Sequence, residues 1–212
     1  MRFKGILLDL DNTLYSYAPC HAVALTHVVD HIATRFGLAK PVIFDAYDRA
    51  KSFVQVQLGQ TASAHSRLLY FQKLCELLDL SPLENSLAFQ SLYWDRFLDE
   101  MKLHDGALDI IKGAVPNLCY VTDLTAEIQF RKIQKLGLHA VPSHLVTSEE
   151  AGADKPNPAI FWMALQKLRL RPEDVCMIGD DYEKDIVGAS LLGIKSFLFT
   201  GNFSEIHRQI YG

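Results

Sequence analysis

Five short apolar segments recur along the chain, and the later ones alternate with amphipathic segments; this alternation constrains the fold more than any other feature. The apolar segments are 5–10, 118–122, 144–147, 175–179 and 195–200, each the length of a buried strand. The amphipathic segments are 125–136, 158–168 and 184–192, each with the apolar spacing of a helix. Because parallel strands are joined by long crossovers that are usually helical, the sequence predicts an α/β fold with five parallel strands.

The segment from 17 to 99 interrupts this alternation. It contains helical patterns at 20–36, 41–58, 64–78 and 82–100 and no convincing strand. The insertion enters directly after the first predicted strand, and ligands of open α/β sheets bind beyond the carboxyl ends of the strands. We therefore interpret it as an all-helical cap over the expected site.

Composition excludes several classes of protein. Lys and Arg number 21 against 25 Asp and Glu, a formal net charge of -4, which is unsuited to electrostatically driven binding of nucleic acid. No run approaches 18 apolar residues, so no membrane span is predicted. The four cysteines form no CxxC pair, which favours a reducing compartment and a cytoplasmic location. Nothing in the sequence predicts the oligomeric state.

Carboxylates follow two of the predicted strands. Asp9 and Asp11 end the first apolar segment, and Asp180 and Asp185 follow the fourth. The doublet alone is compatible either with a bound cation or with a solvated strand end. If the strand ends meet at one sheet edge, like charges 4 Å apart repel by about 4 kcal/mol at an effective dielectric of 20, so the group requires a cation or protonation. All-oxygen ligands favour Mg²⁺.

Two further residues lie at predicted strand ends or loops. Thr122 ends the second apolar segment and is followed by Asp123, and Lys155 precedes a predicted helix. Singly, Thr122 is typical of a turn and Lys155 of a solvated surface. Together with the carboxylates they supply the hydroxyl, ammonium and cation site that phosphoryl transfer requires.

In these motifs the chain resembles the haloacid dehalogenase-like hydrolases, phosphatase branch, with a helical cap of the C1 type. Asp9-Leu10-Asp11-Asn12-Thr13 is similar to the first motif of that family, Thr122 to the second, Lys155 to the third, and Gly179-Asp180 through Asp185 to the fourth. The resemblance implies a Rossmann-like catalytic core at 1–16 and 100–212 and a cap at 17–99.

The resemblance also implies catalytic and metal-binding roles. Asp9 would be the nucleophile that forms an aspartyl-phosphate, and Asp11 the general acid and base, for which we expect a raised pKa. Mg²⁺ would be held by the Asp9 carboxylate, the Asp11 backbone carbonyl and Asp180. Asp185 would support the metal or Lys155.

The phosphate site implied by the resemblance departs from the family pattern at one residue. Thr122 and Lys155 would bind the phosphoryl oxygens, together with backbone N–H groups. Asp123 stands where the family usually has Asn, so its backbone N–H is kept but a negative charge is added. Asp123 thus affects phosphate affinity and substrate preference more than the reaction, provided that its carboxylate turns away from the phosphate.

In the cap, His65 and Arg67 are the best candidates for substrate specificity. The alternative is a polar helix start exposed to solvent.

These features favour a Mg²⁺-dependent phosphatase acting on a small phosphorylated metabolite, a nucleoside monophosphate or a sugar phosphate. A phosphotransferase or phosphomutase remains an alternative, since the phosphoryl group could pass to an acceptor other than water. A 2-haloacid dehalogenase would also use Asp9 but has no need of Asp11, and a non-catalytic phosphometabolite-binding protein would be free to lose these residues.

Overall fold

A computed structural model describes residues 3–114 and 116–212 and divides the chain into two compact units. The α/β unit comprises Met1–Ser16 and Lys102–Gly212, and the helical unit is Tyr17–Met101. The predicted cap, 17–99, differs from the helical unit by two residues at its carboxyl end. The last helix of this unit ends at Glu100, as the helical pattern at 82–100 predicts.

The α/β unit is built on a five-stranded parallel sheet, which confirms the predicted fold class. Its strands, in the spatial order β3-β2-β1-β4-β5, are all paired in parallel. The strands are β1 (Gly5–Leu8), β2 (Leu118–Thr122), β3 (His144–Thr147), β4 (Val175–Gly179) and β5 (Lys195–Leu198). β1, β2 and β4 are buried along their whole length, which explains why they read as continuous apolar runs.

The helical unit contains four helices: α1 (Tyr17–Phe36), α2 (Lys40–Leu58), α3 (Arg67–Leu77) and α4 (Pro82–Glu100). Its interior is rich in stacked and edge-on aromatic rings, of which Phe71 and Tyr93 are fully buried. The predicted helix at 64–78 is divided. A short 3₁₀ turn, Ala62–His65, precedes α3, because Ser66 is extended and its side chain caps α3 by accepting from the Leu69 N–H.

The remaining helices belong to the α/β unit: α5 (Ala107–Ala114), α6 (Ala126–Lys135), α7 (Ser148–Ala151), α8 (Pro158–Leu168), α9 (Gly188–Ser190) and α10 (Phe203–Tyr211). Of these helices, α5 and α10 were not predicted from the sequence. The segment predicted as a helix at 184–192 is a π-helical turn, Tyr182–Val187, that continues into α9. Such turns are frequent at functional sites.

The register of the sheet determines what meets at its carboxyl edge. Leu8 of β1 pairs with Tyr120 of β2 and with Ile178 of β4. The residues that follow these positions therefore leave the sheet side by side. One face of the sheet packs on α8 through an apolar cluster that includes Met177 and Phe161. The site residues are thus attached to a rigid frame.

Within the described residues, no helix is both long enough and apolar enough to cross a membrane.

Candidate active site

The centre of the site is a buried ion cluster around Lys155. The Lys155 ammonium donates to Asp9 Oδ1 and to Asp185 Oδ1, each at 2.6 Å, and to the carbonyl of Val121 at 3.2 Å. All three side chains are buried. Burial lowers the pKa of Lys155, but Asp185 and Asp9 outweigh it and hold that pKa well above its usual value. The lysine is therefore charged, and it joins the loops after β1 and β4 to β2.

The carboxylates outnumber the cation at this edge. Asp9, Asp180 and Asp185 offer oxygens that lie within 4.8 Å of one another. Burial raises the pKa of Asp9 to about 7, although Lys155 opposes the shift. Burial and then repulsion by Asp9 raise the pKa of Asp180 to about 6. A further cation would relieve this repulsion, and three hard oxygen ligands suit Mg²⁺.

Two small residues allow the carboxylates to approach so closely. The Thr13 hydroxyl lies 2.8 Å from Asp9 Oδ2 and 3.3 Å from Asp180 Oδ1, where it bridges the two acids. Gly179 lies against Asp185, and a Cβ on it would stand 2.1 Å from Asp185 Oδ2. Any side chain at Gly179 would therefore displace Asp185 from Lys155.

Asp11 lies in a different environment from Asp9. Its carboxylate accepts from Lys132 at 2.6 and 2.9 Å, from Gln129 at 3.1 Å and from the hydroxyl of Tyr15. Burial alone would raise the pKa of Asp11, but Lys132 and the other donors outweigh it and hold that pKa below its usual value. The expectation of a raised pKa at Asp11 is therefore wrong, because the ion pair with a fully buried lysine was not foreseen.

Thr122 ends β2 beside the cluster, and its hydroxyl accepts from Gln129 at 2.8 Å. Asp123 follows, and its carboxylate is occupied on both oxygens: it accepts from the backbone N–H of Lys155 at 2.9 Å and from the ammonium of Lys184 at 2.8 Å. The added charge of Asp123 is thus neutralised locally. Its carboxylate also ties the loop after β2 to the loop that carries Lys155.

Asp185 and Asp181 are organised by the π-helical turn. The N–H of Asp181 donates to Asp185 Oδ2 at 3.1 Å, and the side chain of Asp181 caps the turn by accepting from the Lys184 N–H at 3.0 Å. Asp181 is therefore an exposed capping residue of the turn.

The specificity candidates lie in the helical unit, and Arg67 is not the exposed polar residue of the alternative interpretation. Its guanidinium is buried, with its carbon 5.0 to 6.0 Å from the ring centres of Tyr17, Tyr70, Tyr93 and Trp94. It donates to the His65 carbonyl at 2.8 Å and to the Tyr17 hydroxyl. His65 itself is half-buried, and its backbone holds the arginine.

Sequence reasoning missed four residues of the site. Gln129 and Lys132 lie on the buried face of α6. Thr13 and Lys184 lie within the first and fourth motifs, in which only the acidic residues were considered. The available signal on α6 was indirect, since Lys132 is fully buried while Phe130, two residues earlier, is 56% exposed. Hydropathy predicts the reverse.

With this geometry in view, the comparisons with known proteins decide the family. The family model of haloacid dehalogenase-like hydrolases matches residues 3–193. The chain belongs to this family. It is a phosphoric monoester hydrolase of the phosphatase branch, as the sequence motifs predicted.

Similar proteins include phosphatases of known name. The chain is 34% identical over 200 residues to the ribulose-1,5-bisphosphate 5-phosphatase of Halopiger xanaduensis, with 92% of this chain and 84% of that protein covered. It is 29% identical over 211 residues to the glyceraldehyde 3-phosphate phosphatase of Pyrococcus furiosus, covering 97% and 84%. The crystal structure of a HAD phosphatase from Thermococcus onnurineus shares the fold, with a TM-score of 0.74, 20% identity and 98% of each chain covered.

The neutralisation of Asp123 can be measured by a double-mutant cycle. We expect Asp123→Asn, Lys184→Met and the double variant to give a coupling of about 1 kcal/mol in the free energy of unfolding by urea, because the carboxylate is mostly withdrawn from water. The exposed pair Arg171–Glu173 of the same unit is the matched control and should couple by about 0.3 kcal/mol or less. Equal coupling in the two pairs would contradict the neutralisation.

Proposed function

We propose that the protein is a Mg²⁺-dependent phosphatase of small sugar phosphates that works through an aspartyl-phosphate on Asp9. The observation that carries this proposal is the buried cluster in which Lys155 contacts Asp9 and Asp185 at 2.6 Å. The names of the relatives support a sugar phosphate rather than a nucleoside monophosphate. A cytoplasmic location and the absence of a nucleic-acid partner stay predictions from composition.

The metal would be held by the Asp9 carboxylate, Asp180 and the backbone carbonyl of Asp11. The excess of carboxylate oxygens at this edge fits such an ion. Bound Mg²⁺ supplies positive charge that offsets the repulsion between the nucleophile and the phosphate. Asp185 supports Lys155 through their ion pair.

Asp9 begins the reaction in this mechanism. Its carboxylate oxygen attacks phosphorus, the bond from phosphorus to the leaving oxygen breaks, and protonated Asp11 donates a proton to that oxygen. Ionised Asp11 then accepts a proton from a water molecule, whose oxygen attacks phosphorus as the bond from phosphorus to the Asp9 oxygen breaks. Inorganic phosphate is released, Asp9 is restored, and Asp11 is left protonated for the next cycle. The form of Asp11 in this structure, ionised by Lys132, is the form that acts in the second step.

Thr122 and Lys155 bind the phosphoryl oxygens in this scheme. The Thr122 hydroxyl and the Lys155 ammonium are donors held at the carboxyl edge of the sheet. In this scheme they face the phosphoryl oxygens, on which negative charge develops in the transition state. The backbone N–H of Asp123 adds a third donor. The Asp123 side chain does not compete, because its two oxygens are held by the Lys155 N–H and by Lys184.

We assign substrate specificity to Arg67, with His65 holding it in place. Within the described residues, no carboxylate pairs with the buried Arg67 guanidinium, and its Nε has no hydrogen-bond partner. A buried cation without an anion is suited to an anionic group of the substrate.

Phosphate release tests the proposed function directly. The purified protein is given ribulose 1,5-bisphosphate, glyceraldehyde 3-phosphate, a nucleoside monophosphate and a chromogenic phosphate ester, with Mg²⁺ or with a chelator. We expect release that depends on Mg²⁺ and is fastest with the sugar phosphates. Release that persists in chelator, or that is fastest with the nucleotide, would contradict the proposal.

The role of Arg67 is tested by Arg67→Met, with Arg49→Met, an exposed arginine on α2, as the control. We expect Arg67→Met to raise KM for the preferred substrate about tenfold or more, because a hydrogen bond to a charged group contributes roughly 1.5–3 kcal/mol. The control should leave KM unchanged. An unchanged KM in Arg67→Met would show that the arginine serves only the aromatic packing.

A further inference from the structure

We infer that Gln129 is a positioning residue, whose side-chain amide orients the Thr122 hydroxyl toward phosphate and holds Asp11 for proton transfer. The inference rests on the proposed function, since Thr122 and Asp11 have these tasks only in a phosphatase. Gln129 itself belongs to none of the four motifs, being seven residues beyond Thr122 on α6.

One amide nitrogen joins three parts of the site. Gln129 Nε2 lies 2.6 Å from the carbonyl of Asp123, 2.8 Å from Thr122 Oγ1 and 3.1 Å from Asp11 Oδ2. The carbonyl and the carboxylate can only accept hydrogen bonds. The NH₂ end of the amide must therefore face them, and the reverse orientation would set oxygen against oxygen.

This orientation determines what the Thr122 hydroxyl can do. Because the Gln129 NH₂ group faces Thr122 Oγ1 and can only donate, the hydroxyl proton must point elsewhere. Its contact in this structure is a long one, 3.3 Å to the carbonyl of its neighbour Asp123. A phosphoryl oxygen is a stronger acceptor, so the hydroxyl is directed to donate to phosphate.

The same amide restrains Asp11 from one side while Lys132 restrains it from the other. Gln129 and Lys132 are three residues apart on α6, which places them on the same face of the helix. Gln129 contacts Asp11 Oδ2, and Lys132 contacts both oxygens. The carboxylate is thus held in one orientation instead of rotating freely.

The placement of Gln129 does not serve packing. Both Gln129 and Lys132 are fully buried on a helix face that Ile128 and Ile133 otherwise line. Among the described residues, Gln129 Oε1 has no hydrogen-bond partner, which is unfavourable for a buried acceptor. An apolar residue would fill this position without that penalty, so the amide is explained by its contacts with Thr122 and Asp11.

Two substitutions separate positioning from packing. Gln129→Glu keeps the shape of the side chain but replaces a donor with an acceptor. The new carboxylate would accept a hydrogen bond from the Thr122 hydroxyl and repel the Asp11 carboxylate. Gln129→Met removes the donor, so the orientation of the Thr122 hydroxyl is no longer restricted. Gln134→Glu, on an exposed position of the same helix, is the matched control. The affinity for inorganic phosphate is measured by calorimetry in Mg²⁺, and kcat by phosphate release.

We expect phosphate to bind most tightly to the wild type, less tightly to Gln129→Met and at least tenfold more weakly to Gln129→Glu. We expect kcat of Gln129→Glu to fall by about 10²-fold, the scale of a small misplacement of catalytic groups. The control should match the wild type in both measurements.

Any other order of phosphate affinities overturns the inference. So does a lower melting temperature with phosphate affinity and kcat both retained, which is the result of a purely structural role. If Gln129→Glu does not fold, Gln129→Met decides by the same two measurements. The calorimetry is independent of turnover, so a wild type without hydrolysis would contradict the proposed function and still leave the phosphate affinities to test Gln129.

Discussion

The contact of the Lys155 ammonium with Asp9 and Asp185 is the interaction on which the rest of the site depends. A buried lysine and two buried carboxylates are tolerated only when each is paired, because an unpaired charge in that position is very costly. The sheet register brings the loops to this point, and Gly179 leaves room for Asp185. Removal of Lys155 would leave two uncompensated carboxylates in the interior of the α/β unit.

Two aspartates two residues apart are given different electrostatic environments. Asp9 lies among other acids, and its pKa is raised to about 7 by burial, whereas Asp11 faces Lys132 and its pKa is lowered. Because β1 ends at Leu8 and Asn12 adopts a left-handed conformation, the alternation of an extended strand does not continue through the motif. Environments that separate the pKa values of two carboxylates are typical of sites in which the two have different roles.

The fold was predictable from the sequence to a greater extent than the site. Buried parallel strands read as apolar runs. The four carboxylates were found because they follow strands, and Lys155 because it precedes a predicted helix within a recognisable motif. Contacts between distant segments were not predictable: the pairing of Lys132 with Asp11 spans 121 residues, and that of Lys184 with Asp123 spans 61. On α6, hydropathy also predicts the wrong buried residue, because Lys132 is buried and Phe130 is exposed. Only the folded chain supplies the carboxylate that makes a buried lysine stable.

The central claim is that Asp9 is the nucleophile, and chemical trapping of the intermediate tests it most directly. Enzyme quenched during turnover is reduced with borohydride, which converts an aspartyl-phosphate to homoserine, and the modified residue is located by peptide mass spectrometry. The account predicts homoserine at position 9, in the wild type and in Asp181→Asn but not in Asp9→Asn. Trapping at another carboxylate, or an active enzyme with no modification at Asp9, would contradict it.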